Sequence, residues 1–218
     1  MSKRLKTFLF AIFAGIAISF GGLLFILSKT YIPADWGQFV GACLFPVGLA
    51  IICYRKYNLY TGKIGIAPNL TASDVGFNVI EWLFLILLGN TVGAFAFGGL
   101  LYPVTFINNS FTDTIIATGL ARQNMNLLEM FIKAIICGML VYAAVYFFNK
   151  ASSNFGKILG VFIPIAFFVS TGMQHCIANM FYMAISGCWT VPSLIALLVC
   201  ILGNSFGGLL INVFNIKN

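Results

Sequence analysis

Charged side chains are scarce in this sequence of 218 residues, where lysine, arginine, aspartate and glutamate together make up only 8%. Soluble domains carry about a quarter charged residues, so an ordinary water-soluble fold is excluded. The 12 cationic residues form no run longer than Lys3-Arg4, which is too sparse to hold a nucleic-acid backbone. We therefore predict no nucleic-acid partner.

Recognisable catalytic and metal-binding patterns are also missing. The six cysteines include no Cys-x-x-Cys pair, which argues against metal sites and disulfides. The sequence has no paired carboxylates, His-Glu-x-x-His motif or phosphate-binding loop. Ser186 stands in a protease-like turn, but the single histidine, His175, is eleven residues away across one interrupted helix. We predict that the chain is not an enzyme and takes no metal or cofactor.

Hydrophobic residues, in contrast, make up 61% of the chain and occur along its whole length. About 20 apolar helical residues cross a hydrocarbon core about 30 Å thick. We expect the first such stretch to be a span and not a signal peptide, because no small-residue cleavage site precedes Lys29. The sequence predicts a single all-α transmembrane domain over 1–218. Its six predicted spans are approximately 7–28, 36–54, 78–102, 127–148, 158–185 and 190–213.

The distribution of the cations predicts the orientation of these spans. With the amino terminus in the cytoplasm, nine cations fall inside and only Lys29 and Arg122 outside, as the positive-inside rule requires. We expect a multi-pass protein of the cell's inner (plasma) membrane with both termini cytoplasmic. The nine inner cations are Lys3, Arg4, Lys6, Arg55, Lys56, Lys63, Lys150, Lys157 and Lys217.

The two halves of the chain share a short pattern. The string LGN at 88–90 recurs at 202–204, and the same offset of 114 residues relates Thr61 to His175. Three spans per half predict that the halves, about 7–102 and 127–213, insert in opposite orientations. Such inverted repeats are common among transport proteins.

Each half also carries a polar interruption at membrane depth. Residues 54–63 interrupt the second apolar segment, and residues 170–175 interrupt the fifth. Non-helical backbone in a membrane is tolerated where it is buried in protein or lines a wet cavity. The breaks therefore predict a central pathway, and half-helix amino termini that face it would favour anions.

Several strings in these segments resemble the formate/nitrite transporter family of small monovalent anion channels. They occupy 15–22, 59–62, 89–93, 131–137, 172–181 and 203–208, and GMQHCIANMF at 172–181 is the most specific. The resemblance implies an aquaporin-like inverted 3+3 repeat with broken second and fifth helices. It also implies a homopentamer with one pore per subunit, carrying formate, nitrite or hydrosulfide.

The resemblance also implies roles for individual residues. Thr61 and His175 form a chamber between two apolar constrictions, Arg122 takes the place of a lysine near the outer mouth, and Asn179 lies along the pathway. Departures from the family pattern are Arg122 itself, Gly138 for an asparagine, and Asn58 and Gln174 for acidic residues. The implied constriction residues are Phe45, Leu49, Leu59, Tyr60, Val141 and Phe168.

An anion needs help to cross such a pore, because moving a bare ion into low dielectric costs on the order of 20 kcal/mol before relaxation. Arg122 would attract the anion, although its segment, 118–124, also reads as an ordinary polar loop. His175 would neutralise or pair with it, since histidine titrates near neutral pH. A channel and a proton-coupled carrier both fit these residues.

Other interpretations remain open at this point. An aquaporin-like channel for neutral solutes shares the six spans but needs paired Asn-Pro-Ala turns, which the sequence lacks. A structural or sensory membrane protein would leave the two polar breaks without a purpose. Asn90, Asn179 and Asn204 are expected to tie down broken backbone more than to touch substrate. Lys133, four residues after Glu129, is expected to form a helical ion pair.

Overall fold

The computed structural model describes residues 1–215, and every regular element in this part of the chain is helical. Lys217, one of the predicted cytoplasmic cations, lies outside the described residues. Two short 3₁₀ helices occupy Ile64–Asn69 and Tyr102–Ile107. The α-helices are α1 Lys3–Tyr31, α2 Ala34–Leu44, α3 Pro46–Arg55, α4 Tyr60–Lys63, α5 Ala72–Val75, α6 Val79–Leu101, α7 Asn109–Gln123, α8 Leu127–Lys150, α9 Asn154–Ser170, α10 Cys176–Ser186 and α11 Val191–Asn215.

Within the described residues, five helical stretches are long and apolar enough to cross a membrane. They match five of the six predicted spans. The remaining predicted span, the fifth at 158–185, is divided between α9 and α10, because residues 171–175 leave the helix. The five stretches are Lys3–Tyr31, Trp36–Arg55, Val79–Phe106, Leu127–Lys150 and Val191–Val213. Their length and composition make this an all-α membrane protein.

The polar interruptions of the sequence coincide with two changes of backbone direction. Lys56 takes the left-handed conformation, with φ 55°, and Leu59 is extended before α4 begins at Tyr60. In the second half, Gly172 has φ 70° and His175 is extended before α10 begins. Both interruptions therefore lead from extended backbone into the amino terminus of a short helix.

One predicted loop is wrong. The segment 118–124 continues α7 up to Gln123, and Arg122 lies in its last turn. Asn108 starts this helix by accepting a hydrogen bond from the Phe111 amide. The helix does not end at Gly119. At this residue α7 packs so closely against α10 that a Cβ on Gly119 would overlap the Ser186 side chain.

Glycines let two long helix pairs approach closely in equivalent ways. A Cβ on Gly15 of α1 would overlap the Asn90 carbonyl of α6, and a Cβ on Gly138 of α8 would overlap the Asn204 carbonyl of α11. Small residues at helix contacts permit this separation in membrane proteins. Gly138 therefore has the same role in the α8–α11 pair as Gly15 has in the α1–α6 pair, and a larger side chain there would force the two helices apart.

The short helix α10 forms the centre of the protein. Every residue from Cys176 to Ile185 is buried, so this helix has no face left for lipid. α4 is similar, because Tyr60, Thr61 and Gly62 are all buried. The two short helices are thus enclosed by the longer ones, and their amino termini lie in the protein interior.

Candidate functional site

Asn90 of α6 holds the backbone that leads into α4. Its Oδ1 accepts a hydrogen bond of 2.8 Å from the Tyr60 amide, and its Nδ2 donates to the Asn58 carbonyl at 2.8 Å. A further 2.8 Å bond runs from Nδ2 to the Ala11 carbonyl of α1. One buried side chain therefore satisfies two backbone groups that the helices leave free, the Tyr60 amide and the Asn58 carbonyl, and ties them to the Ala11 carbonyl of α1.

Asn204 of α11 repeats this arrangement at α10. Its Oδ1 accepts from the Cys176 amide, and its Nδ2 donates to the carbonyls of Gln174 and Ala134, all at 2.8 Å. Like Asn90, it is fully buried. The structural role predicted for these two asparagines is confirmed by the bonds.

Thr61 and His175 meet at the amino termini of the two short helices. Thr61 Oγ1 lies 2.9 Å from His175 Nε2, and both side chains are buried. His175 Nδ1 accepts a 3.2 Å hydrogen bond from the Ala178 amide, which makes the ring the N-cap of α10. Because an amide can only donate, Nδ1 carries no proton, and in the neutral ring the proton is on Nε2.

This tautomer fixes the direction of the second bond. His175 Nε2–H donates to Thr61 Oγ1, and the proton of the Thr61 hydroxyl is left for another acceptor. The structure gives Thr61 no other side-chain partner among the described residues. The pair can therefore offer one hydroxyl donor to a group with a lone pair.

Apolar side chains seal the space beside this pair. Phe45 meets Phe168 edge-to-face, with ring centroids 5.7 Å apart, and Phe168 stacks on the His175 ring at 6.1 Å. The space that they enclose has no room for a water molecule. Its complete lining is Ile18, Phe45, Leu49, Leu59, Val141, Ile165, Phe168 and His175.

The sequence prediction names five of the apolar residues in this lining and misses two. Ile165 lies one helical turn before Phe168, and Ile18 lies within the glycine-rich string of α1, but helical spacing alone does not show that either side chain reaches this space. Tyr60 does not line the sealed space. It is buried nearby, and its hydroxyl lies 2.9 Å from Ser205 Oγ.

Arg122 reaches the interior from α7. Its Nη1 donates to the Thr118 carbonyl at 2.6 Å, and its Nε donates to Asn179 Oδ1 at 3.3 Å. The guanidinium carbon lies 4.2 Å from the centroid of the Tyr182 ring. Asn179 in turn donates to Gln174 Oε1 at 3.1 Å. These contacts fix the orientation of the guanidinium group.

Arg122 and His175 both line a cavity of about 210 Å³, here called the Arg122 cavity. Lys29 and Lys133 line it as well. Lys133 is paired with Glu129 at 2.6 Å, as predicted, whereas no described carboxylate lies within ion-pair distance of Lys29 or Arg122. The described lining of this cavity is therefore cationic.

A second cavity, of about 360 Å³, opens on the other side of Leu59 and is called the Lys63 cavity. Three lysines line it, Lys56, Lys63 and Lys157, and its described lining includes no carboxylate. The sequence located these lysines outside the spans but gave no sign that they share a cavity, because α3, α4 and α9 bring them together. Leu59 belongs both to this cavity and to the sealed space.

The rival serine site is not assembled. Ser186 donates to the Tyr182 carbonyl at 2.6 Å within its own helix. It is the last residue of α10, and His175 precedes the first, so about 16 Å of helix separates them. The two residues are too far apart to act as nucleophile and base.

Comparison with known proteins gives consistent matches over nearly the whole chain. The family model described as Formate/nitrite transporter matches residues 2–216. The uncharacterized transporter YrhG of Bacillus subtilis (strain 168) is 31% identical, with 89% of this chain and 77% of that protein covered. The formate channel BtFdhC of Bacillus thuringiensis is 33% identical, with coverages of 83% and 73%.

A solved structure described as a pentameric formate channel with formate bound shares the fold. It superposes with a TM-score of 0.84 at 23% identity and covers 98% of this chain and 96% of its own. The family-model match and the two relatives, taken with the helices described above, identify the group to which the protein belongs. This chain is a member of the formate/nitrite transporter family.

Proposed function

We propose that this protein is a membrane channel for small monovalent anions of the formate, nitrite or hydrosulfide type. The observation that carries the proposal is the arrangement of two cationic cavities on either side of a sealed apolar space, with the Thr61–His175 pair beside it. Cationic mouths concentrate anions. The sealed space then determines what can pass.

For the architecture we propose a single domain of six spans in an inverted 3+3 repeat. In this arrangement α2, α3 and α4 form the broken second span, and α9 and α10 form the broken fifth. The equivalent bonds of Asn90 and Asn204 support the repeat, because each bridges one long helix to the backbone before one short helix. The equivalent contacts of Gly15 and Gly138 support it further.

We propose that both termini lie in the cytoplasm and that the protein resides in the plasma membrane. The Arg122 cavity is then the outer mouth, and the Lys63 cavity is the inner one. This orientation agrees with the excess of cations on the inner side. A homopentamer is the proposed assembly, because the solved structure with the same fold is described as pentameric.

Arg122 would attract the anion towards the outer mouth. The sealed space cannot take a bare charge, because the desolvation cost is several kcal/mol even after relaxation. We propose that the anion accepts a hydrogen bond from the Thr61 hydroxyl and crosses with a proton. In this scheme His175 takes a proton from the Arg122 cavity at Nδ1 once the ring releases the Ala178 amide. The ring then gives its Nε2 proton to the Thr61 hydroxyl, which passes its own proton to the anion, so the imidazole returns to a neutral form.

Formate is the first anion to test, because the relative BtFdhC and the solved structure both carry formate in their descriptions. The purified protein in liposomes should conduct formate, nitrite and hydrosulfide well above empty vesicles and should exclude glycerol. Stopped-flow light scattering and an internal pH dye measure these fluxes. Permeation of water or glycerol without anion flux would favour the aquaporin-like alternative, and no flux at all would leave a structural or sensory role.

Arg122→Lys is expected to weaken anion capture at the outer mouth. Lysine keeps the charge, but it cannot keep the bond to Asn179 and the stacking on Tyr182 together. An electrostatic loss on the order of 1 kcal/mol corresponds to roughly a fivefold rise in the half-saturating formate concentration with an unchanged maximal rate. The measurement is initial flux against formate concentration.

The control for this experiment is the double variant Glu129→Gln/Lys133→Gln. Lys133 lines the same cavity, but its charge is balanced by Glu129, so removing both charges together leaves the net charge at the mouth unchanged and should change half-saturation less than Arg122→Lys does. An Arg122→Lys protein with the wild-type concentration dependence would show that the fixed guanidinium does not contribute to capture.

A further inference from the structure

An apolar groove of about 160 Å³ runs along the outside of the protein between α3 and α9. Pro46, Val47 and Ala50 form its α3 side, and Ile158 and Phe162 belong to its α9 side. Val47, Ile158 and Phe162 are between 37% and 52% exposed in the described chain. The groove therefore presents apolar side chains to whatever surrounds the protein at this level.

The groove has one polar end. Tyr54, in the last turn of α3, and Lys157, in the first turn of α9, both line it there. Pro46 and Phe162 mark the apolar end, and about 12 Å of helix separates Pro46 from Tyr54. The groove thus runs from the membrane interior to the level at which α3 ends and α9 begins.

Lys157 stands where this groove meets the Lys63 cavity. Lys157 and Phe148 are the two residues that line both. The Lys157 ammonium lies 5.8 Å from the centroid of the Phe148 ring, and Tyr54 meets the same ring edge-to-face at 5.0 Å. The polar end of the apolar groove therefore lies beside the three lysines of the Lys63 cavity.

The described carboxylates of this chain give Lys157 no partner, and the two acidic residues nearest in level, Glu81 and Asp74, already have partners elsewhere. Glu81 is paired with Arg4 at 2.5 Å. Asp74 is bonded to Thr71, whose amide and hydroxyl hold the pKa of that carboxyl below its usual range. Burying Lys157 against a second copy would leave its charge uncompensated, which is costly.

We propose that the groove binds an anionic phospholipid, with an acyl chain between α3 and α9 and the head-group phosphate at Lys157. Basic pockets beside transmembrane helices are suited to anionic head groups, and the apolar groove supplies the matching site for the chain. The polar end lies at the level of the lipid head groups, because α3 ends and α9 begins there and spanning helices end near the membrane surface. The site does not depend on what the pore conducts.

Native mass spectrometry of the full chain in detergent tests this proposal, with phosphatidylglycerol and phosphatidylcholine as probes. The wild type should bind phosphatidylglycerol about fivefold more tightly, the effect of one lysine on an anionic head group. Lys157→Gln should remove this preference, and Lys157→Arg should keep it. Ala50→Leu, which fills the groove, should weaken both lipids alike.

The matched control is Lys150→Gln. Lys150 also lies over an aromatic ring, 5.8 Å from the centroid of Tyr146, but it lines neither the groove nor the Lys63 cavity. Its loss should leave the lipid preference unchanged.

Three results would overturn the proposal. They are equal binding of the two lipids by the wild type, a preference that persists in Lys157→Gln, and displacement of the lipid by soluble glycerol phosphate at matching concentrations. The last would assign the lysines to a free anion. An unchanged helical circular dichroism spectrum checks that each variant is folded. The experiment includes no transport measurement, so its outcome does not depend on the proposed channel function.

Discussion

Asn204→Leu is expected to prevent the protein from accumulating in a folded form. The substitution leaves the buried Cys176 amide without its partner, takes the amide donor from the Gln174 carbonyl, and removes the tie to the Ala134 carbonyl of α8. Each backbone group left unsatisfied costs about 1–3 kcal/mol, so the loss is a large part of the stability of a typical domain. The measurement is the yield of monodisperse protein and its thermal unfolding in detergent.

Asn212→Leu on the same helix is the matched control. Asn212 is also buried, but its Oδ1 accepts from two side chains, Asn69 and Tyr142, and from no backbone group. We expect a folded protein with reduced stability. Asn90→Leu should behave like Asn204→Leu, since it breaks three equivalent bonds. A purified Asn204→Leu protein that unfolds at the wild-type temperature would show that the interruptions do not depend on these bonds.

His175→Phe is expected to lower formate flux by more than tenfold and to remove its dependence on pH. The phenyl ring fills similar space, but it cannot cap the Ala178 amide or donate to Thr61. In the wild type, flux should rise as the pH falls, because protonation of the imidazole becomes more favourable. The measurement is the initial rate of formate entry into liposomes between pH 5 and 8.

His175→Asn separates the structural role from the chemical one. Asparagine is a good N-cap residue and should keep α10 in place, whereas loss of a cap costs about 0.5–2 kcal/mol. It does not titrate, so its flux should be independent of pH even though the protein is folded. If either variant conducts formate at the wild-type rate and with the wild-type pH profile, His175 does not supply the proton.

The apolar stretches and the two polar interruptions were predictable because they depend on local composition. Hydrophobic length alone locates the five long helices, and the polar residues around Thr61 and His175 mark where the backbone leaves the helix. Asn90 and Asn204 can also be paired from the sequence, because each ends the string LGN. The glycine of each string lies at a close helix contact. The pairs Thr61 with His175 and Asn90 with Asn204 share the offset of 114 residues, and finding them requires no knowledge of the tertiary structure.

What the sequence missed depends on contacts between distant elements. The sequence around Arg122 predicts a polar loop, because Gly119 and the neighbouring polar residues are typical of loops. In the structure α7 continues through these residues and packs against α10. Ile18 and Ile165 belong to the sealed lining only because α1 and α9 converge there. The lysines of the Lys63 cavity come from α4, from α9 and from the residue that follows α3. Periodicity does not reveal such convergence.

The dry lining around Phe168 has a consequence for the energy supply of the cell. Protons hop rapidly only along an unbroken file of water molecules, and the eight residues of this lining leave no place for one. On the proposed anion pathway, this barrier would keep the proton gradient and the electrical potential of the membrane intact while the protein is in this state. Dissipation would require Phe45 and Phe168 to swing apart, which ties leakage to the same side-chain motions that admit a solute.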